Sequence, residues 1–418
     1  MYHPDVVAKR IFQARKAGIP IMKRSREESL EISSKLEKLR YKNGVKLPPG
    51  QLVRDLDAKE LTFTRSERAL CKADFIYYLI RYHTIERDPG VGSESGVGPA
   101  TLLESQVRFI TMLGRRELVC HEEQKRFGHT QGIRVYAHKC RQVVFTTTCR
   151  ALCNHRRLFY PGTRSLAAAL TDGPKGTGEL YKRDLLNIDN LPFWLKPDEI
   201  YPNVKDEEIG FPAPLNCRVS YQAENQQVGI GTGSQVDVSH LTEVALWSYP
   251  YRIRFSFLPS IPKAISTLHI QEATSAGKGG YWQEVSEGCR QRRKGFEDYI
   301  YIFVPVYLNK TKYRAVPPDD WVPDEHTLQY VELVERTSPE FNDGVAFHPN
   351  REHLYWWETE RAVYSHNGEL ALFLANYPAT PEQSFSNWAQ GALPAEVIEK
   401  MDMECRIPHP YSVTVEAA

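Results

Sequence analysis

The chain has 418 residues, 41% of them hydrophobic, enough for one large core and two or three sub-regions. Its formal net charge of +1 excludes the overall basic field of a protein permanently coated with nucleic acid, while local patches can still grip it briefly. No apolar run is long enough to span a bilayer, residues 1–23 carry no signal-peptide core, and the eight cysteines form no CxxC pair, which reads as reduced thiols in a cytosolic protein.

In chain order, apolar spacing and capping residues predict a helix over 25–40, a break at KLPPG (46–50), and one strong helix over 64–82. The buried side of that last helix would carry Ala69, Phe75, Ile76, Leu79 and Tyr82. A Gly- and Ser-rich stretch at 88–100 reads as a linker. Helices and strands then alternate, the pattern of an α/β sheet. Strands are expected over 134–137, 164–170, 236–241, 264–272 and 299–308, with a hairpin over 208–222. Helices are expected over 102–113, 147–159, 178–188 and 281–292. After about residue 315 the pattern turns helical, over 324–336 and 351–376, before a two-proline loop at 377–385. This divides the chain into an N-terminal helical arm and linker (1–95), an α/β core (96–315) and a C-terminal helical lid (316–418).

The stretch from His138 to Thr147 (HKCRQVVFTT) has the layout of a phosphate-binding turn between a strand and a helix. Such a turn offers backbone N–H groups and a helix N-terminus to phosphates, a lysine for charge and a hydroxyl for Mg²⁺. The hydroxyl is Thr146 or Thr147, and Lys139 stands at the front of the turn. Where a closing glycine and lysine are usual, the chain has Val144 and Phe145. His138, Cys140, Cys149, Cys153 and His155 invite a metal reading, but their spacings match no common zinc ligand set. Cys149 and Cys153, four apart on one helix face, read as small packing residues.

Several segments fall in one order: a helix with Leu103 and Gln106, the turn up to Thr147, PGTRSLAAALTD (161–172), NLPFWLKP (190–197), HLTEVALW (240–247), EATSAGKGG (272–280) and YPATPEQSF (377–385). In this order the chain resembles the ATPase half of the large terminase subunit of tailed bacteriophages, the motor that drives DNA into the procapsid. The resemblance covers about residue 70 to about residue 403. It implies a P-loop NTPase fold of the additional-strand, catalytic-glutamate type, with a central, mainly parallel sheet flanked by helices. It also implies ATP hydrolysis with Mg²⁺, coupled to translocation of double-stranded DNA. The implied partners are DNA, a portal protein, a small terminase subunit, a separate nuclease subunit and further copies in a ring on the portal, with no membrane. The implied place is the bacterial host cytoplasm, transiently on the procapsid. The family's nuclease would follow the YPATPEQSF segment; Asp402 and Glu404 lie on a helical tail, so nuclease activity is not expected in this chain.

Roles follow from the resemblance, motif by motif. Gln106 would read the adenine edge, where the plainer reading is a surface helix amide. Lys139 and Arg141, with Gln142 beside them, would meet the phosphates. Thr146, with Thr147 as the fallback, would hold Mg²⁺, and Thr242 would reach the ion through a water. Glu243 would polarise the attacking water, where the plainer reading is a helix N-terminal acid favoured by the dipole. Thr274 would sense the γ-phosphate, or merely cap a turn.

The chain departs from the usual pattern at Val144 and Phe145 in the turn, at Thr242, where ordinary P-loop ATPases carry a Walker B aspartate and the family segment also has a hydroxyl, and at Ile230, where an arginine finger often stands. Two readings stay open. One is a divergent working motor in which Lys139, Arg141 and a further arginine, Arg183, supply positive charge. The other is a non-hydrolysing scaffold that docks nuclease or portal. DNA would meet Arg290, Arg292, Arg293 and Lys294, or Arg115 and Arg116; each is also readable as a solvated helix end. Arg156 and Arg157 read as structural or as a subunit contact.

Overall fold

The structure, a computed structural model, describes residues 4–19, 21–22, 24–39, 41–42, 45–46, 56–87, 96–99, 102–141, 145–197, 199–203, 208–224, 230–231, 235–309 and 312–385. Among the described residues four helices lie before residue 83: α1 (Pro4–Lys16), α2 (Arg26–Leu39), α3 (Ala58–Ala73) and α4 (Phe75–Tyr82). Helix α2 begins with a reciprocal cap, in which the Glu28 N–H donates to the Ser25 hydroxyl and the Ser25 N–H to the Glu28 carboxylate. The single helix expected over 64–82 is two helices. Asp74 leaves helical geometry (φ −126°, ψ 111°), and its carboxylate caps α4 by accepting from the Ile76 and Tyr77 N–H groups. An aspartate inside an apolar run competes for backbone donors and so starts a new helix.

Two short antiparallel ladders accompany them: β1 (Tyr41–Lys42) with β2 (Val45–Lys46), between α2 and α3, and β3 (Thr84–Arg87) with β4 (Gly96–Pro99), after α4. The expected linker therefore ends in a strand; residues 88–95 and 100 lie outside the described residues, as do 47–50 of the expected break. Helix α5 (Glu104–Phe127) runs about four turns past the expected residue 113, to left-handed Gly128 (φ 75°).

The main sheet has eight strands: β5 (Ile133–Lys139), β6 (Arg164–Ala169), β7 (Tyr201–Asn203), β8 (Glu208–Phe211), β9 (Cys217–Ala223), β10 (Val238–Thr242), β11 (Leu268–Ala273) and β12 (Tyr299–Val304). Their order is β12-β5-β11-β10-β6-β9-β8-β7. The six from β12 to β9 are parallel, and β8 and β7 add an antiparallel edge. Every residue of β10 and β11 is buried, as a parallel sheet covered on both faces requires. Helices α6 (Phe145–Phe159), α7 (Thr177–Asp189) and α8 (Gly280–Arg290) belong to this layer arrangement.

Alternate side chains enter two apolar clusters. Val135 and Ala137 join one and Tyr136 the other; Ala167 and Ala169 join the first, Leu166 and Ala168 the second. The first cluster also takes in Phe63 and Tyr78 of the N-terminal helices. It extends to the C-terminal helices α9 (Glu325–Phe341), α10 (Arg351–His366) and α11 (Leu370–Asn376), through Val334, Trp357 and Phe373. The expected helix over 351–376 breaks at left-handed Gly368 (φ 72°), and the last described helix is α12 (Pro381–Ser384). One core thus runs through all three expected regions.

The topology is that of the additional-strand P-loop class: β11 lies between β5, which leads into the turn, and β10, which ends at Glu243. Both strands deliver their C-terminal ends to the same edge, where a doubly wound sheet binds its ligands.

Candidate functional site

The site forms where the parallel strands β5, β10 and β11 end together. Lys139 is the last residue of β5, and Glu243 follows β10 directly. Glu243 takes a left-handed conformation (φ 53°, ψ 36°) and opens the short 3₁₀ turn Val244–Leu246. A non-glycine residue there is costly unless its surroundings hold it. The Trp247 indole N–H does so by donating to the Thr242 carbonyl at 3.1 Å. The Lys139 ammonium donates to Glu243 Oε1 at 3.1 Å and lies 3.7 Å from Glu272 Oε2.

Glu272, the penultimate residue of β11, is completely buried and is the centre of the arrangement. Its Oε1 accepts from the Thr146 hydroxyl at 2.5 Å, from the Thr242 hydroxyl at 3.0 Å and from His240 Nε2 at 3.1 Å. The last contact requires the proton on Nε2, because a carboxylate only accepts. Among the described residues Glu272 Oε2 has no hydrogen-bond donor. Burial alone would raise the Glu272 carboxyl, but Lys139, His240 and Thr146 together hold it well below its usual range. Burial likewise works against the Lys139 charge, and Glu272 and Glu243 outweigh it, so the ammonium is held above its ordinary value. Burial lowers His240, which is neutral near pH 7.

Phe145 does not enter this space. Its ring is 1% exposed and packs on Phe109 of α5 with centroids 4.5 Å apart. Residues 142–144 lie outside the described residues, so Gln142 and the Val144 position go with them. Arg141 is exposed; its N–H donates to the Asn376 carbonyl at 2.9 Å, and its carbonyl accepts from the Tyr313 hydroxyl. The front of the turn is therefore held by the C-terminal region. Beside it, the Val306 N–H donates to the Pro378 carbonyl at 3.0 Å, and the Phe385 ring lies 5.0 Å from His138, which places the YPATPEQSF segment at the end of β5.

The remaining expected residues are more scattered. Gln106 is buried and its Oε1 accepts from the Leu103 N–H at 2.8 Å, so it is no surface amide but the third residue of α5 reaching back over the helix start. Phe109, one turn on, touches the first residue of α6, which keeps Gln106 on the turn's side of α5. Thr147 is half-buried beside Thr146, and Thr274 is buried just past β11. Ile230 is buried in the second apolar cluster, and Arg183 pairs with Glu179 on its own helix at 2.8 Å. Arg157 and Arg150 are buried around Asp184; burial would raise that carboxyl, and the two guanidiniums hold it at about 2. This network ties α6 to α7 and fixes the helix that follows the turn.

Of the expected DNA contacts, Arg290 is committed elsewhere, to Glu340 at 3.0 Å and Glu382 at 2.5 Å. Arg293 pairs with Glu287 at 3.6 Å, Arg115 with Asp343 at 3.8 Å, and Arg116 with Glu123 and Asp298. Arg292 and Lys294 are exposed. Among the described residues no helix is long and apolar enough to cross a membrane, and no three His, Cys, Asp or Glu side chains cluster as a metal-binding set.

Solved structures to which the chain is similar include the HK97 bacteriophage large terminase, at 11% identity and a TM-score of 0.44, over 72% of this chain and 53% of that one. Another is the ATPase domain of the large terminase of Thermus phage P74-26, at 13% identity and a TM-score of 0.38, over 67% and 99% of the two chains. The chain thus spans about half the length of the HK97 protein. No family model matches the chain, and no curated protein matches it.

Proposed function

We propose that the chain is an ATPase of viral DNA packaging, hydrolysing ATP with Mg²⁺ to translocate double-stranded DNA into a procapsid. The observation that carries this reading is the 3.1 Å contact between Lys139 and Glu243, which joins the divergent turn to the acid of HLTEVALW at one sheet edge. Lys139 takes the phosphate charge from the front of the turn, and Arg141 adds a second, exposed cation. Glu243 orients and deprotonates the attacking water once the phosphates draw Lys139 away from it. The residues present fit Mg²⁺, a hard cation that prefers oxygen and leans on phosphates and a carboxylate rather than on a protein cage. Thr146 and Thr242 supply hydroxyl oxygens beside the Glu272 carboxylate, whose Oε2 takes no hydrogen bond among the described residues. Bound there, the ion would neutralise phosphate charge. Thr274, following β11, would report phosphate loss, and Arg292 and Lys294 are the exposed cations for DNA phosphates.

The domain reading that goes with this function is a 96–315 motor core with an arm before it and a lid after it. Portal, small terminase subunit, a nuclease subunit and a ring of further copies are its partners. The test is Mg²⁺-dependent ATP hydrolysis with and without double-stranded DNA, portal and small terminase subunit. Hydrolysis stimulated by DNA supports the motor. No turnover under all these conditions, with or without bound ATP, favours the scaffold reading and overturns the motor.

A further inference from the structure

The geometry points to Glu272 as the acid that replaces the missing Walker B aspartate, supplied from the neighbouring strand and acting on the cation through Thr146. This inference rests on the nucleotide reading of the site. Thr242 occupies the usual aspartate position and brings no charge. In the parallel ladder of β10 and β11, Thr242 is the direct partner of Glu272. The negative charge is therefore displaced sideways by one strand and not lost. Thr146, the second residue of the helix after the turn, donates its proton to Glu272 Oε1 at 2.5 Å. A hydroxyl used as a donor keeps its lone pairs for a cation. Thr242 donates to the same oxygen at 3.0 Å, so both hydroxyls are aligned by one carboxylate. The other oxygen, Oε2, is buried, takes no hydrogen bond among the described residues and lies 3.7 Å from Lys139.

Net stability does not explain such an acid, because a buried ion pair roughly breaks even against desolvation. Its charge bears on ligand binding instead. Two carboxylates, Glu243 and Glu272, share one buried ammonium, Lys139, so the cluster is net negative, with Arg141 exposed outside it. A triphosphate therefore binds more tightly with its counter-ion than without it, and Glu272 is a positioning residue for that ion rather than a group that touches the reacting atoms.

Calorimetric titration of ATP in excess Mg²⁺ and in EDTA tests this on the full chain, with thermal melting to identify folded variants. The wild type binds about tenfold or more tightly with Mg²⁺, the scale of one close ion–carboxylate contact in a partly wet site. Glu272→Gln binds metal-free ATP at least as tightly as the wild type and loses the Mg²⁺ enhancement; a purely structural role would weaken both. Adding Thr242→Asp to that variant returns the acid to β10 and restores the enhancement. An undiminished enhancement in Glu272→Gln, or no restoration in the double variant, overturns the inference. Should Glu272→Gln not fold, Thr242→Asp alone decides: weaker metal-free binding with a larger Mg²⁺ enhancement supports it, and no change overturns it. A wild type that binds no ATP in either buffer overturns the nucleotide reading itself, a different outcome from either failure.

Discussion

Lys139 and Glu243, 104 residues apart in the chain, meet with Nζ and Oε1 at 3.1 Å. The lysine closes β5 and the glutamate follows β10, and β11 lies between these strands. The pair therefore bridges the additional strand, and Glu272 at the end of that strand sits within 3.7 Å of the same ammonium. Without phosphate, the lysine holds the two acids together; with phosphate, it has a competing anion.

Replacing Lys139 by methionine leaves Glu272 buried without its cation. Losing one partner of a buried pair costs about 3–5 kcal/mol. Urea unfolding of Lys139→Met is expected to show that loss, and ATP titration to show no binding. A variant as stable as the wild type would contradict the buried ion pair.

Phe145 stands where the usual turn has its lysine, yet it is a core residue stacked on Phe109. Phe145→Lys, which restores the ordinary spelling, should destabilise the fold and give no gain in ATP hydrolysis. Phe145→Ala should cost about 3–5 kcal/mol, the range for a buried aromatic. Chemical denaturation checks both, and a stable, faster Phe145→Lys protein would show that the ring is not structural.

Burial lowers His155 and His269 to about 3, and His83 and His353 to about 4, from an unfolded value of 6.5. Below 6.5 the unfolded chain therefore binds more protons than the folded one, and stability falls as pH falls. Each histidine contributes a slope of about 1.4 kcal/mol per pH unit until its folded pKa is reached. Glu272 adds nothing between pH 7 and pH 5, because its held-down carboxyl loses its contribution only below the unfolded value of 4.5. Thermal melts should fall steeply from pH 7 to pH 5, and a flat profile would contradict the buried neutral imidazoles.

Arg292 and Lys294 are exposed, whereas Arg290 joins α8 to Glu340 and Glu382. Alanine at Arg292 or Lys294 should reduce the salt dependence of DNA binding by about 0.9 in log–log slope for each DNA phosphate left unneutralised. Arg290→Ala should leave that slope unchanged. Affinity measured over a salt series separates the two, and an effect of Arg290 alone would reverse the assignment.

Much of the layer order is legible in the sequence because parallel strands read as short apolar runs between helical periods, as in RSLAAAL and YIYIFV. The helix breaks at Asp74 and Gly368 are not: each is one residue in an otherwise periodic run, and only the capping geometry and φ reveal it. In the site, Lys139, Thr146, Thr242 and Glu243 can be singled out from their motifs. Glu272 stands in the same segment as Thr274, and motif reading passes it over. Its signal is an acid at the end of the apolar strand LHIQEA, where an unpaired carboxylate would be costly. What singles it out is strand register, Thr242 opposite Glu272, which one sequence does not carry. Arg290 reads as a DNA contact in the sequence for a related reason: the partners that occupy it lie 50 and 92 residues away.

If the divergent turn presents a nucleotide to Glu243, Glu243→Gln separates binding from chemistry when Mg²⁺–ATP affinity and single-turnover hydrolysis are measured on the same protein. ATP affinity is then equal to or tighter than the wild type, since Lys139 loses its competing partner, and hydrolysis is slower by about 10²-fold or more. Hydrolysis at the wild-type rate, or an ATP affinity that collapses with the acid, would contradict that arrangement.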